Sequence, residues 1–543
     1  MATPVTRGER RARLVLALLI IVFVALALPR GWYNDDAFIT FRYAKHLAAG
    51  HGFVWNAVDG EPIEGSSSLA WSLLNALGIA AGLDPVPFSQ GLGAIAGAFG
   101  LAVLYSAGRR RLGLPPGWAL VAPALLAAHR QWVLWSVSGL ETVAAIVLML
   151  AATLMMVREQ SRERPGWWAS GVLFFIATLF RPEAPLMHLA AGVGCAGVRR
   201  NVSHWRAVVL SGLTHGVLLA GLIGWRLAYF GYPLPNTFYA KVGGLQLGRG
   251  LAYMVEFVMQ THGWLWLPVL LVGVVLTIRR GAPILVGALV AQIVIWCAWI
   301  AIEGGGAWEF RFMATLLPAL ALLIGLAVHL LRGKLTRRWR LLAALALTGA
   351  LVFSQASTVF TPFRPFGRLF TEMESEDVAE LLVVSAEHLK ATADDRLREG
   401  RALAPYLTPQ DRLATGWAGA LPYVTDVWHF DPWGLNDPEI ARREFDTESV
   451  LFHQRHAEWS DMQARRVMLV DIYNRFLFER PYPPHAIRMM VMPWIEAGVM
   501  VYCVELPQGT FRYWIFTSAR PRDEVEAWLA KHGLPLRYVV PLV

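Results

Sequence analysis

Long apolar runs separated by short polar segments fill the first two thirds of the chain. Because a helix needs roughly 20 apolar residues to cross a bilayer, the pattern predicts about eleven membrane-spanning helices. The predicted spans cover residues 12–29, 90–107, 117–135, 141–157, 167–181, 184–198, 207–226, 264–278, 283–302, 312–331 and 340–358. We therefore expect residues 1–358 to form an all-α polytopic membrane domain, with a polar first loop at 30–89.

Basic residues fall in every second loop between these runs. They occur at Arg109–Arg111, Arg158/Arg162/Arg164, Arg199/Arg200/Arg206, Arg279/Arg280 and Arg332/Lys334/Arg337/Arg338/Arg340. Cytoplasmic loops of membrane proteins carry the excess of Lys and Arg. The alternation therefore predicts a multi-pass protein of the plasma or inner membrane with a cytoplasmic N-terminus. The basic "RGERRAR" and the following apolar run also fit a signal peptide, but the long run and the later spans favour an uncleaved anchor.

The tail at residues 359–543 has a different pattern. "RRVMLVDI" and "VMVYCVEL" are typical of strands, whereas "EDVAELLVVSAEHLKATADD" and "DEVEAWLAKHG" are typical of helices. We expect a small α/β domain here, on the extracytoplasmic side by the same alternation of loops.

Composition supports the membrane assignment. Hydrophobic residues make up 55% of the chain, more than a soluble domain carries, and the mean hydropathy is +0.43. The net charge of +9 comes from the loops that membrane topology needs, so it does not indicate nucleic-acid binding. Three cysteines, two of them in apolar runs, indicate neither a disulfide framework nor a cysteine metal site.

The first outer loop begins with two adjacent carboxylates, Asp35 and Asp36. From residue 36 to 48 the apolar residues fall on one helical stripe, which predicts an amphipathic helix at the membrane surface. Asn34 or Asp35 can cap this helix, and Gly50 can end it. A cap and a favourable charge in the first turn explain one carboxylate well and the second only in part.

More acids follow in "DGEPIEGSSS", namely Asp59, Glu61 and Glu64. Charges beside a bilayer are costly, so a cluster of five acids indicates a functional site. Such acids suit either a general base or a hard divalent cation, Mg²⁺ or Mn²⁺.

Two further outer loops place charges against apolar spans. "SGLET" puts Glu141 at the start of the fourth span, and "RPE" puts Arg181 and Glu183 between two short spans. Charges in such positions face a polar cavity or pair with one another. The alternatives are a substrate site and a structural ion pair of Arg181 with Glu141 or Glu183.

Two more outer loops combine polar groups with special backbone. "YPLPNTFYAK" offers Asn236, Tyr239 and Lys241 after two prolines, and "EGGGAWEFRF" offers Glu309 and Arg311 after a glycine triplet. Arg binds phosphate oxygens through its planar fork. Carboxylates beside such cations can take a proton from a hydroxyl while the cations hold a departing phosphate.

The series "NDDAFITFRYAKHLAAGHGFVWN", "GEPIEGSSS", "SGLET", "RPE", "YPLPNTFYAK" and "GWAGALPYVTDVWHFDPWGLNDPEIARR" resembles the mycobacterial terminal β-(1→2)-arabinofuranosyltransferases and their relatives, which are GT-C integral membrane glycosyltransferases. The resemblance runs from residue 32 to about 445. It implies a fold of many transmembrane helices, a polyprenyl-phosphate-linked sugar donor and a cell-envelope glycan or glycolipid acceptor. It also implies that an Asp of the first outer loop is the catalytic base, which is Asp36 or Asp35 in this sequence, and we favour Asp36.

The resulting expectation is an inverting transfer at the outer face of the membrane. Candidates for the donor phosphate are Arg42, Lys45, Arg181, Lys241 and Arg311. Candidates for other substrate contacts are Glu61, Glu64, Glu141, Glu183, Asn236, Tyr239 and Glu309. No cofactor is required, although a divalent metal is possible. In the tail, Trp417, Trp428, His429, Trp433 and Asn436 either stack on acceptor sugars or belong to a packed core.

Three other classes of protein compete with this expectation. A different lipid-linked glycan transferase or ligase shares the same chemistry. A transporter would carry polar residues at mid-span and a repeat between its halves, whereas the polar motifs here cluster at one face. A structural envelope protein would leave the outer acidic cluster without a role.

Overall fold

The structure is a computed structural model of the 543-residue chain. It describes residues 6–58, 60–162, 166–199, 201–281, 283–306, 308–331, 384–444, 455–472, 475–482, 495–496, 498–507 and 511–542. The predicted span at 340–358, the basic loop at 332–340, the boundary at 358/359 and Asp59 lie outside these residues. The division into domains at 358/359 therefore stays a prediction.

The described residues form two compact units. The first, here called the helical unit, comprises Met1–Tyr33, Val86–Leu222 and Gly244–Glu387. The second, here called the sheet unit, comprises Asn34–Pro85, Ile223–Gly243 and His388–Val543. The sheet unit thus combines most of the first outer loop, the "YPLPNTFYAK" segment and the C-terminal region.

Helices dominate the helical unit. They run over Arg7–Ala27, Pro85–Arg110, Val121–Ala127, Arg130–Ser136, Thr142–Gln160, Trp168–Phe180, Ala184–Arg199, Val202–Phe230, Leu247–Gln260, Leu267–Arg279, Ile284–Glu303, Arg311–Ala314 and Leu317–Leu331. Short 3-10 turns occur at Leu28–Arg30, Trp118–Leu120 and Gly263–Leu265.

Several of these helices are long and apolar enough to cross a membrane. Within the described ranges, five meet this criterion: Arg7–Arg30, Pro85–Arg110, Thr142–Gln160, Val202–Phe230 and Ile284–Glu303. A sixth arises if Leu247–Gln260 and Gly263–Arg279, which meet at a bend of 78°, count as one broken span. The chain is a multi-pass membrane protein, and the predicted number of eleven spans is not confirmed.

The predicted span at 117–135 is not one helix. It consists of Val121–Ala127 and Arg130–Ser136, with a break at Ala128 and His129. The break coincides with the polar sequence "HRQ", in which Arg130 forms an ion pair with Glu309. Two helices that the apolar pattern did not predict, Leu69–Ala80 and Leu247–Gln260, also occur.

A seven-stranded mixed sheet is the centre of the sheet unit. Its strands are β1 Arg412–Ala414, β2 Trp428–Phe430, β3 Leu469–Val470, β4 Leu477–Phe478, β5 Met500–Glu505, β6 Tyr513–Thr517 and β7 Leu536–Pro541. The order is β2-β1-β3-β6-β5-β7, and β4 pairs with β6. β1 runs parallel to β2 and β3, whereas the other pairs are antiparallel.

Both faces of this sheet are covered. Along β6, Tyr513 and Ile515 belong to one hydrophobic cluster, and Trp514 and Phe516 belong to another. This is the alternation of side chains that a strand imposes. The helices of the sheet unit lie at Asp35–Ala48, Leu69–Ala80, Asn236–Lys241, Ala386–Leu403, Ala420–Thr425, Trp459–Ala464 and Arg522–Lys531, with 3-10 turns at Ala404–Tyr406 and Ile440–Arg442. The predicted strand at "VMVYCVEL" and the predicted helix at "DEVEAWLAKHG" are both present.

The predicted helix of the first outer loop is also present, at Asp35–Ala48, but its surroundings differ from the expectation. Asn34 is the N-cap, and its side chain accepts a hydrogen bond from Ala37 N. Residues on the polar side, among them Thr40 and Arg42, are buried as well as those of the apolar stripe. The helix is therefore packed within the sheet unit, and does not lie with one face open at a surface.

Candidate functional site

Asp35 is held by the backbone of a distant segment. Its two carboxylate oxygens accept hydrogen bonds from Gly419 N and Ala420 N, both at 2.7 Å. The side chain thereby satisfies the first amides of the short helix Ala420–Thr425. Burial raises the pKa of Asp35 to about 6, although the two backbone hydrogen bonds lower it in part. The proposed cap role for Asp35 thus applies to another helix, since Asn34 caps its own.

Asp36 has a different environment from its neighbour. Successive residues of a helix point about 100° apart, so Asp36 does not share the direction of Asp35. Asp35 is buried, whereas Asp36 is partly exposed. Of the two predicted bases, Asp36 is the more exposed.

Arg42 is buried and holds chain segments together. Its guanidinium donates to Trp55 O at 2.9 Å, Pro422 O at 2.6 Å and Val427 O at 2.7 Å. A fourth bond reaches Asn56 Oδ1 at 3.2 Å. Since this guanidinium already donates to three backbone carbonyls and one side-chain amide, Arg42 stabilises the fold and has no N–H group directed at solvent for a phosphate.

One turn further along the helix, Lys45 and His46 meet Asp426. Lys45 Nζ lies 3.1 Å from Asp426 Oδ2, and His46 Nε2 lies 3.2 Å from Oδ1. The hydrogen bond from His46 and the charge of Lys45 hold the pKa of Asp426 well below its usual range, although burial acts in the opposite direction. Lys45 and Asp426 are each about a third exposed, so Lys45 is a cation within reach of solvent.

The acids of "GEPIEG" separate in space. Glu64 is buried and forms a bidentate ion pair with Arg226, at 2.7 and 2.8 Å, whereas Glu61 is exposed. Burial raises the pKa of Glu64, and Arg226 opposes that shift. In the part of the chain that the structure describes, no three His, Cys, Asp or Glu side chains come together as a metal site. Glu64 is thus bound to a cation of the chain itself.

Asn236 joins the "YPLPNTFYAK" segment to the C-terminal region. Its amide nitrogen lies 2.8 Å from Gly434 O and 3.0 Å from Leu435 O, and its amide oxygen accepts from Arg442 Nη1 at 3.1 Å. The Arg442 guanidinium also lies 4.2 Å from the ring centre of Tyr239. Asn236 and Tyr239 therefore anchor a segment that ends in the partly exposed Lys241.

The helical unit contains a separate charged cluster, which we call the Glu141 cluster and define as Glu141, Arg181, Glu183 and Arg311. Glu141 is buried and contacts Arg181 at 3.2 Å and Arg311 at 2.6 Å. Arg181 also binds Glu183 at 2.7 Å. Both ion pairs considered for Arg181 are present, and the cluster contains two carboxylates and two guanidiniums.

Glu309 lies outside this cluster. It is fully buried, accepts from Arg130 Nε at 2.9 Å and from Ala386 N at 2.9 Å. Glu309 and Phe310 have φ of 37° and 51°, in the left-handed region that side chains seldom adopt. The glycine-rich loop before them therefore ends in a strained turn, which the ion pair of Glu309 with Arg130 stabilises. Because Glu309 is fully buried, it is not accessible to a substrate.

The two polar residues among the tail positions proposed as acceptor contacts, His429 and Asn436, are buried. His429 is buried, accepts from Trp55 Nε1 at 3.1 Å, and has its pKa lowered to about 3 by burial. Asn436 accepts from the hydroxyl of Tyr43 at 2.9 Å. The packed-core alternative therefore describes His429 and Asn436. Trp417, Trp428 and Trp433 are each partly exposed.

Sequence reasoning missed the partners of these residues. The backbone of 419–427 receives Asp35 and Arg42, and Arg226, Asp426 and Arg442 bind predicted site residues. These partners are 162 to 385 positions away along the chain. The only available signal was that "GWAGALPYVTD" occurs in the same motif series as "NDDAFITFRYAK".

The fold and the sequence are both similar to known membrane glycosyltransferases. The chain covers 93% of its length and 97% of ArnT from Cupriavidus metallidurans bound to undecaprenyl phosphate, with a TM-score of 0.56 and 12% identity. The same protein in the apo state gives a TM-score of 0.52 at 15% identity, over 78% of this chain and 85% of that one. This likeness shows the fold.

At the level of sequence, two curated relatives are similar. A terminal beta-(1->2)-arabinofuranosyltransferase of Mycobacterium tuberculosis is 31% identical over 47% of this chain and 42% of the relative. Its namesake in Corynebacterium glutamicum is 28% identical over 46% of this chain and 39% of the relative. The chain spans less than half the length of the curated relatives it matches. Residues 387–516 also match a family described as a domain of unknown function, DUF8728.

These likenesses confirm the resemblance that the motifs indicated. The chain has the fold of an integral membrane glycosyltransferase of the GT-C class. Within that class, its sequence is similar to terminal β-(1→2)-arabinofuranosyltransferases.

Proposed function

We propose that this protein is a GT-C glycosyltransferase that moves a sugar from a polyprenyl-phosphate donor to a cell-envelope glycan or glycolipid. The fold shared with ArnT, which binds undecaprenyl phosphate, supports the class of donor. The similarity to two terminal β-(1→2)-arabinofuranosyltransferases supports arabinofuranose as the sugar. The alternation of basic loops supports catalysis at the outer face.

The observation that carries the proposal is the unequal environment of Asp35 and Asp36. Asp35 is buried with both oxygens accepting from backbone amides, which fixes the first turn of the helix. That fixed turn presents Asp36, which is partly exposed, in a defined direction. A positioned carboxylate of this kind can act as a general base.

In the proposed reaction, Asp36 takes the proton of an acceptor hydroxyl as its oxygen attacks the anomeric carbon. The bond from that carbon to the phosphate oxygen breaks, and the polyprenyl phosphate leaves with the electron pair. Attack opposite the leaving group inverts the anomeric configuration. Asp36 then holds the proton until it passes to water.

Lys45 and Lys241 are the cations of the sheet unit that we assign to the phosphate. Both are partly exposed, and each can offer a point charge to the leaving group. Arg42 is left out of the proposed donor site because its guanidinium binds backbone carbonyls. Arg181 and Arg311 stay predictions from sequence, because each already binds Glu141.

The test is release of polyprenyl phosphate by purified full-length protein given a polyprenyl-phosphoryl arabinofuranose donor, with and without a glycan acceptor. We expect acceptor-dependent release, and a loss of about 10²–10⁴ in kcat for Asp36→Asn, the range that general-base catalysis supplies. Asp84→Asn is the matched control, since it removes an exposed carboxylate from the same loop. Full turnover by Asp36→Asn would remove Asp36 as the base.

A second candidate is transfer of a different lipid-linked sugar. It is favoured by the fold, because ArnT has the same fold at 12% identity. The same assay with polyprenyl-phosphoryl hexose and other pentose donors separates the two. Faster release of polyprenyl phosphate from one of these donors than from the arabinofuranose donor would show that the enzyme transfers a different sugar, while the proposed class of enzyme would stand.

A further inference from the structure

A cavity of about 200 Å³ lies between the last turns of two membrane-length helices, Pro85–Arg110 and Thr142–Gln160. Apolar side chains such as Val103 and Leu154 form much of its wall. Arg110, Arg111 and Arg158 complete the lining. The cavity belongs to the helical unit and contains none of the residues assigned to glycosyl transfer.

The three arginines of this cavity have no acidic partner among the residues that the structure describes. Arg110 and Arg158 are exposed, and Arg111 is partly buried. Burial, together with the charges of Arg158 and Arg110, lowers the pKa of Arg111, so the cluster is one in which like charges repel.

The neighbouring Arg109 provides an internal comparison. Its guanidinium binds Glu9 at 2.9 Å and donates to Leu114 O. Position at a helix C-terminus and the positive-inside rule account for basic residues in this region. Neither effect requires that three of them line one cavity with no acidic partner in the described part of the chain while the fourth, Arg109, is paired with Glu9.

We propose that this cavity binds the phosphate-bearing headgroup of an anionic phospholipid of the bilayer. Guanidiniums bind phosphate oxygens through paired N–H donors. The apolar wall lies along helices long enough to cross the membrane, so an acyl chain beside it stays in hydrocarbon while the headgroup reaches the arginines. A free phosphate ion gains nothing from such a wall, and for that reason the lipid is the assigned occupant. The alternation of basic loops predicts that the site faces the cytoplasm.

The test uses full-length protein purified in neutral detergent and titrated with dioleoyl phosphatidylglycerol, with dioleoyl phosphatidylcholine as the zwitterionic comparison and native mass spectrometry as the readout. We expect the anionic lipid to bind more tightly. The triple variant Arg110→Gln/Arg111→Gln/Arg158→Gln should weaken it on the order of 100-fold, about a factor of five for each arginine near a lipid surface.

A matched triple variant, Arg162→Gln/Arg279→Gln/Arg280→Gln, removes the same charge from loops predicted to lie on the same face but outside the cavity. It should change binding little, and an equal loss would overturn the site in favour of general surface attraction. Ala151→Phe fills part of the cavity wall and leaves every arginine in place. We expect it to weaken binding as well, and unchanged binding would overturn the cavity as the location.

Two competitors test the identity of the occupant. Inorganic phosphate at millimolar concentration should not displace phosphatidylglycerol, and displacement would overturn the lipid in favour of a free anion. Undecaprenyl phosphate should compete no better than phosphatidylglycerol, and tighter binding would overturn the assignment in favour of the carrier lipid. Thermal unfolding of each variant in detergent identifies any that fail to fold, and Ala151→Phe keeps the proposal testable if the charge variant is one of them.

Discussion

The Asp35–Asp36 pair of the sheet unit and the Glu141 cluster of the helical unit stabilise their buried carboxylates through different partners. In the Glu141 cluster, two acids face two guanidiniums at 2.6–3.2 Å. Asp35 is also buried, and its two oxygens accept hydrogen bonds from the backbone amides of Gly419 and Ala420. Asp36, one residue later, is partly exposed.

The difference bears on which region is the better candidate for chemistry. Glu141 binds two guanidiniums of the chain itself, so its oxygens are occupied by Arg181 and Arg311. Asp35 is fixed by the backbone amides of Gly419 and Ala420, and the next residue, Asp36, is partly exposed. The comparison therefore favours a structural role for the Glu141 cluster and a catalytic role for Asp36.

The largest expected effect is on stability, from Glu141→Gln. It removes the buried acid that both Arg181 and Arg311 bind, and removing one partner of a buried pair costs about 3–5 kcal/mol. Thermal unfolding of the purified protein in detergent measures the loss. Glu183→Gln is the control, since Arg181 then keeps Glu141, and it should cost less. A Glu141→Gln protein as stable as wild type would contradict the structural role.

Arg42→Lys should come next, at about 2–4 kcal/mol, because an ammonium cannot reach the carbonyls of Trp55, Pro422 and Val427 together. The same unfolding measurement applies. If Arg42 instead contacted the donor phosphate, the variant would keep its stability and show a raised KM for donor, so the pair of measurements distinguishes the two roles.

Asp35→Ala should destabilise the protein by about 1–3 kcal/mol, since the amides of Gly419 and Ala420 lose their acceptors. Asp36→Ala, the adjacent control, should leave the unfolding temperature almost unchanged and lower kcat by about 10²–10⁴. Equal effects of the two variants on both stability and turnover would remove the distinction drawn between them.

A smaller effect concerns pH, through another buried carboxylate of the sheet unit. Asp471 accepts from the Thr415 hydroxyl at 2.6 Å, and burial raises its pKa from 3.8 to about 7. Between these two values the folded state holds a proton that the unfolded state has released, so stability falls as pH rises. We expect the unfolding temperature to drop from pH 5 to pH 8, and the drop to be shallower in Asp471→Asn. An equal slope in both proteins would exclude Asp471 as its source.

The smallest expected effect on stability is that of Lys45→Gln. Its ion pair with Asp426 is about a third exposed at each side chain, and such pairs contribute about 0–1 kcal/mol. A clear rise in KM for the donor without a change in unfolding temperature would support Lys45 as a phosphate contact. Unchanged kinetics would leave the pair with Asp426 as its whole role.

Local patterns predicted much of the fold and part of the candidate site. The apolar runs placed most helices of the helical unit, and the stripe after Asp36 placed the helix Asp35–Ala48, because periodicity and capping act over neighbouring residues. The same patterns gave the strand Met500–Glu505 and the helix Arg522–Lys531. The break within 117–135 was missed, since the ion pair of Arg130 with Glu309 joins residues 179 positions apart.

The sequence by itself determined that the chain crosses a membrane repeatedly, that Asp35 and Asp36 begin a helix, and that its motifs resemble a class of lipid-linked glycosyltransferases. These follow from hydropathy, from helical period and from residue order. Only the tertiary structure decided that Asp35 is buried against Gly419 and Ala420 while Asp36 stays accessible, and that Arg42 binds backbone. The physical reason is that burial and hydrogen-bond partners depend on segments that folding brings together from distant parts of the chain.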